Sequence, residues 1–185
     1  MSKVAIKGAA TGTGVFTLES PATNTDRTLV LPDEAGTMAL QGGAGVGKVL
    51  QVVQGTTSTS SSTSSTTYQQ SLLTASITPT SATSKIFVLF TTTIVQATPT
   101  NGAYATVYRN NTTNLGGGTN AALSASDNQH PGGYQWVPCV GSVLDSPATT
   151  SSTAYTVYFR ALPAGTAVIN WATSSSMITL MEIAA

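Results

Sequence analysis

Charge is scarce in this chain. Of its 185 residues 8% are Asp, Glu, Lys or Arg, about a third of the ~25% usual in soluble domains. The seven basic and seven acidic side chains cancel. No Lys/Arg cluster occurs, so the grouped cations that neutralise nucleic-acid phosphates are missing and nucleic acid is not an expected partner. There is one cysteine, Cys139, and one histidine, His130. A lone thiol excludes an intrachain disulfide, and its apolar, alternating surroundings predict a buried and inert group. One histidine and one cysteine cannot assemble a metal site within a single chain, although three copies of His130 could meet on a threefold axis. No cofactor is expected. No apolar run approaches the ~20 residues that span a bilayer, and the opening residues lack the continuous apolar stretch of a secretion signal. Membrane insertion is not expected, and assembly is expected in a cytoplasm.

What remains is Ser, Thr, Gly and Asn, which keep the surface polar without ionising; mean hydropathy is +0.13. Such a surface opposes the approach of identical copies only weakly, so self-association is a natural expectation. No segment carries helical periodicity, and the chain reads as strands and turns. Before residue 41 the β-prone pieces are about four residues long: Val4-Ala5-Ile6, Val15-Phe16-Thr17-Leu18, Thr28-Leu29-Val30-Leu31 and Thr37-Met38-Ala39-Leu40. Pieces that short cannot form a core alone. A glycine-rich hinge, Gly42-Gly43-Ala44-Gly45-Val46-Gly47, then marks a boundary. The domains expected are an N-terminal β-segment with its hinge, residues 1–45, and an antiparallel β-sandwich, residues 46–185.

In the second domain, strands are expected around Val49-Leu50-Gln51-Val52-Val53 and across residues 68–77, 85–95, 104–109, 134–143, 155–162, 167–171 and 177–183. Eight strands separated by turn signals suggest a sandwich of jelly-roll type. The twelve-residue Ser/Thr run at 56–67 offers no apolar side chain to bury and reads as a flexible, exposed loop. Residues 115–131 read as a long Gly/Ala/Ser/Asn excursion. The strand at 85–95 is unusual. On a two-residue period Ile86, Val88, Phe90 and Ile94 face one way, while Phe87, Leu89 and Val95 face the other. Both faces are apolar and both need cover. One is expected against the core and the other against a sister subunit.

The chemistry on offer is thin. The hinge followed by Lys48 nearly matches a phosphate-binding loop, but Val49 stands where that motif needs Ser or Thr, and a strand rather than a helix is expected to follow. Asp127 and His130 are three apart, with Ser124 and Ser126 nearby. A hydrolytic triad also needs a rigid nucleophile and an oxyanion hole, which loop serines do not supply. The chain is therefore not expected to be an enzyme. Its aromatics are more informative: Tyr104, Tyr108, Tyr134, Trp136, Tyr155, Tyr158 and Trp171 lie on or beside strands. Exposed beside Asn and Gln, such rings stack on sugars; buried, they are core. Tyr134 and Trp136 follow the Gly132-Gly133 bend, and together with His130 and Tyr108 they are the candidate contacts to a glycan or receptor.

The stretch Gly14-Val15-Phe16-Thr17-Leu18-Glu19-Ser20-Pro21-Ala22-Thr23-Asn24-Thr25-Asp26-Arg27-Thr28-Leu29-Val30-Leu31-Pro32-Asp33, closed by Gly36-Thr37-Met38-Ala39-Leu40, resembles a segment of tailed-bacteriophage fibre proteins. Shorter matches to their C-terminal domains are Lys48-Val49-Leu50-Gln51-Val52-Val53-Gln54, Ser84-Lys85-Ile86-Phe87-Val88-Leu89 and Ile178-Thr179-Leu180-Met181-Glu182-Ile183-Ala184. The resemblance implies a homotrimeric virion component, a short tail fibre. Its N-terminal segment would dock on a baseplate or tail protein, and its distal domain would adhere to a host cell-surface glycan or protein. It departs from longer fibres in lacking a shaft. That leaves a head fibre or capsid decoration protein as an alternative, and a small tailspike-like polysaccharide hydrolase as a second.

Overall fold

The computed structural model describes residues 47–96, 102–127, 135–163, 165–171 and 174–185. The N-terminal β-segment, most of the hinge, His130 and Tyr134 lie outside the described residues.

Eleven strands follow one another: β1 (Val49–Thr57), β2 (Ser61–Thr63), β3 (Gln69–Ile77), β4 (Lys85–Gln96), β5 (Gly102–Arg109), β6 (Thr113–Asn114), β7 (Ser124–Asp127), β8 (Gln135–Asp145), β9 (Thr153–Ala161), β10 (Ala167–Ile169) and β11 (Ser176–Ile183). They form two antiparallel sheets. In the first, β4 pairs along one edge with β8 from Ile86↔Asp145 to Gln96↔Gln135. Its other edge is shared by β11 and β10, and β1 and β2 extend these outward. In the second the order is β3-β9-β5, with β6 and β7 dividing the free edge of β5. The long strands therefore run β1-β11-β4-β8 in one layer and β3-β9-β5-β7 in the other. Among these eight strands the chain crosses between layers at each connection except β5 to β7, while β1 to β2 and β10 to β11 stay within the first sheet. The arrangement is a β-sandwich, and no α-helix occurs among the described residues.

The period-two pattern sets which side chains lie between the sheets. Ile86, Val88, Phe90 and Ile94 of β4 are buried against Leu73 and Ile77 of β3 and Tyr155, Val157 and Phe159 of β9, all members of one core. Each such side chain stabilises the fold by about 1.5–3 kcal/mol when fully buried. Small residues make room for large ones. Phe90 lies directly across from Gly141, where a Cβ would come within 2.4 Å of the ring.

Two polar clusters pin the edges of this core. Arg109 donates to both oxygens of Asp145, at 2.8 and 2.9 Å, and the Tyr155 hydroxyl donates to Asp145 Oδ2 at 2.7 Å. The carboxylate ends β8, while the other two residues belong to β5 and β9, so the cluster ties the sheets together. Glu182 is fully buried. It accepts hydrogen bonds from Gln51 Nε2 at 2.6 Å and from both the amide and the hydroxyl of Thr80 at 2.7 Å.

The Ser/Thr run is more ordered than its composition suggests. Its first residues complete β1, and Ser61–Thr63 forms β2 against β10. Asn170 supplies the missing anchor. Its side-chain amide donates to the carbonyls of Thr57 and Thr59, its Oδ1 accepts from Ser174 and Ser176, and its carbonyl accepts from the Ser60 hydroxyl. A residue at φ 59 can hold that arrangement because Asn tolerates the left-handed region. Hydroxyl-to-backbone bonding thus replaces apolar burial. The 115–131 excursion likewise contains β7, the edge strand beside β5.

Candidate functional site

The two outer faces of the sandwich differ in chemistry. On the first sheet, register alone builds an apolar row: Leu144 of β8, Phe87 of β4, Met181 of β11 and Val52 of β1 are direct cross-strand partners. Phe87 and Met181 are half-buried by their neighbours, whereas Leu144 and Val52 are 53% and 56% exposed. A second row holds Val140, Thr91 and Met177. Val140 and Trp136 stand out at 51% and 64% exposure. The prediction that β4 is apolar on both sides holds for Phe87 and Leu89, which are half-buried in the isolated chain while their inward neighbours are fully buried. Val95, assigned to that outward side, is completely buried opposite Trp136 and Val168.

On the second sheet the outward positions carry aromatic rings and one cation. Tyr104 lies directly opposite Arg160, and Tyr158 lies opposite both Thr106 and Gln70. Tyr108 sits diagonally from Tyr158, which brings their rings into a stack with centroids 4.1 Å apart. Tyr68, just before β3, tilts against Tyr108 at 6.2 Å. The Arg160 guanidinium lies 4.5 Å from the centre of the Tyr104 ring and 5.4 Å from that of Tyr68, close enough for cation–π attraction to both. Its two terminal nitrogens donate to Asn120 Oδ1 at 3.2 Å and to the Thr66 carbonyl at 3.4 Å. Asn120 also accepts from the Tyr68 hydroxyl through its carbonyl, at 2.9 Å. The short excursion between β6 and β7 is thereby drawn to the ring cluster. Burial lifts the Tyr68 phenol above its ordinary pKa, with Arg160 pulling the other way. Burial also raises Tyr158, with Tyr108 adding to the shift. At neutral pH both phenols are protonated and can donate.

Of the residues singled out from sequence, Tyr108 and Trp136 are described, and they lie on different sheets, so they do not share a face of one chain. Tyr104, Tyr108 and Tyr158 come together, whereas Tyr155 is fully buried in the core. Trp171 lies beyond the end of β10 and is 38% exposed. Arg160, Tyr68 and Asn120 were not anticipated. Period-two parity could have placed Arg160 on the face of Tyr158, but the approach of Tyr68 and Asn120 depends on tertiary structure.

Catalytic and metal chemistry find little to build on among the described residues. Of the carboxylates whose side chains are described, Asp145 and Glu182 are engaged in the structural clusters above. Cys139 is buried, and burial pushes its thiol pKa up, with the Ser124 hydroxyl partly offsetting this. No group of three or more His, Cys, Asp or Glu that could hold a metal occurs among the described residues. The near phosphate-binding loop runs into β1, a strand, so no helix N-terminus follows it to receive phosphate. No protein-family model and no curated protein matches this chain.

Proposed function

We propose that this chain is a structural component of a tailed-phage virion: a short homotrimeric tail fibre that adheres to the host surface through its jelly-roll domain. The observation that carries the reading is the apolar outer face of the first sheet. Leu144, Phe87, Met181 and Val52 form a continuous row there, with Val140 and Trp136 exposed beside it. Water-exposed rows of this kind mark interaction surfaces. A second copy of the same chain is the fitting occupant, because the flanking positions on these strands are mostly Thr, Ser and Gln rather than charged groups. Lys85, at the start of β4, is the one charged side chain with the parity of Phe87, so like faces can meet with little charge repulsion. Residues 14–33, with their resemblance to fibre proteins, point the same way and supply the attachment segment for a baseplate or tail protein. Binding rather than hydrolysis is supported by the full engagement of Asp145 and Glu182 in structural hydrogen bonds.

The native mass of the full-length protein at micromolar concentration tests the assembly. A trimer is expected, and Leu144→Ser combined with Val140→Ser should shift it toward monomer while each jelly roll stays folded. A wild-type monomer refutes the proposal. Immunogold labelling of particles then separates a tail fibre from a head fibre.

A further inference from the structure

The geometry points to the Arg160–tyrosine cluster on the outer face of the second sheet as a binding site for an acidic saccharide. Its biological role rests on the adhesive reading above, while its chemistry stands on the cluster itself.

Of the two described arginines, Arg109 is paired with Asp145. Arg160 has no carboxylate partner among the described residues, and its hydrogen bonds go to a side-chain amide oxygen and a backbone carbonyl. Two rings and two neutral acceptors hold it in place without cancelling its charge. A half-buried guanidinium is costly to desolvate and is usually matched by an anion. Here the position is prepared for an anion. Of the five N–H donors of a guanidinium, one goes to Asn120 and one to Thr66, and the others remain for a carboxylate.

The surroundings specify what else the ligand carries. Two residues along β9, about 7 Å away, Tyr158 stacks with Tyr108, and its hydroxyl lies 3.5 Å from Gln70 Oε1. Leu72, on the next strand, is 57% exposed. Rings, an amide and phenol hydroxyls beside a fixed cation match a ligand with an apolar C–H face, hydroxyls and one negative charge. A uronate-type sugar has all three. Arg160 would meet its carboxylate, and Tyr108 and Tyr158 would pack against a neighbouring sugar of the same chain. A peptide carboxylate would use the guanidinium but leave the phenol and amide groups without hydroxyl partners.

Calorimetric titration of the full-length protein with oligogalacturonate, its methyl-esterified counterpart and inorganic phosphate tests the assignment. The acid should bind, more weakly as salt is raised, and the ester at least about tenfold less tightly, the loss expected for one charge-assisted contact. Arg160→Gln should reproduce that loss with the acid and leave the ester unchanged. Tyr158→Ala should weaken both alike. The acid and ester comparison uses the unaltered protein, so it stands even where a variant fails to fold. Equal affinity for acid and ester overturns the assignment, as does phosphate binding as tightly as the oligosaccharide, or no binding at all. None of these results alters the native mass, so the trimer proposal is decided separately.

Discussion

Glu182 should make this fold sensitive to acid in a narrow window. The residue is fully buried on β11. Burial alone would raise its pKa, but hydrogen bonds from Gln51, Ser84 and Thr80 outweigh that and bring it from 4.5 down to about 2. A carboxyl whose folded pKa is depressed contributes stability that is fully present above its unfolded pKa. That contribution is lost as pH falls toward the folded value. The window therefore runs from about pH 4.5 down to about pH 2, and the shift corresponds to roughly 3 kcal/mol at about 1.4 kcal/mol per pKa unit. Glu182→Gln removes the titrating group and turns an amide N–H₂ toward the Thr80 or Gln51 donors, so it should destabilise by about 2–3 kcal/mol at neutral pH. Urea denaturation of both proteins across this pH range measures the difference. The wild-type advantage should be constant above pH 5 and shrink steadily below it. An advantage that stays constant down to pH 2.5 would refute the role assigned to the buried carboxylate.

Two further substitutions probe the core and its polar clamp. Tyr155→Phe removes the 2.7 Å bond to Asp145 without changing the ring's packing. It should lower stability by about 1.5–3 kcal/mol, the range for hydrogen bonds to charged groups, as read by thermal or urea unfolding. Gly141→Ala places a methyl group against the Phe90 ring and should cost about 1–3 kcal/mol through overpacking, partly recovered when Phe90→Leu is added.

The long strands were legible because burial writes itself into them. On β4 the alternation of Ile86, Val88 and Phe90 with Phe87 and Leu89 gave both the strand and its two faces, since a side-chain period of two leaves no other arrangement. Asn110 and Asn111 turn the chain after β5 at positive φ, which Asn accepts more readily than most. The strands missed were β2, β6 and β7, Ser61–Thr63, Thr113–Asn114 and Ser124–Asp127. They pair through the backbone and bury few apolar groups, so nothing in their side chains announces them. Asn170 explains the order around β2, yet it lies 113 residues from Thr57, and no local pattern links the two. The ring cluster shows the same limit. Tyr104, Tyr108 and Tyr158 could be named as aromatics on strands, but the meeting of Tyr68 with Asn120, 52 residues apart, is a product of the sheet order.

That sheet order also links the two proposals. The layers of a sandwich lie about 10 Å apart, each with one face inward, so the two outer faces point in opposite directions. If the row through Phe87 and Met181 is turned toward sister copies on a threefold axis, the Arg160 cluster must face outward on every copy. Three binding faces would then be spread around the flank of the assembly rather than gathered at its tip. Weak contacts to a repeating polysaccharide would gain strength by simultaneous engagement where the chain can reach more than one of them. A long acidic polysaccharide should accordingly bind the assembled protein more tightly than a short oligomer does, and the Leu144→Ser, Val140→Ser variant should lose that advantage while keeping its affinity for the short form. Loss of both affinities together would mean that the apolar row and the ring cluster are not independent surfaces.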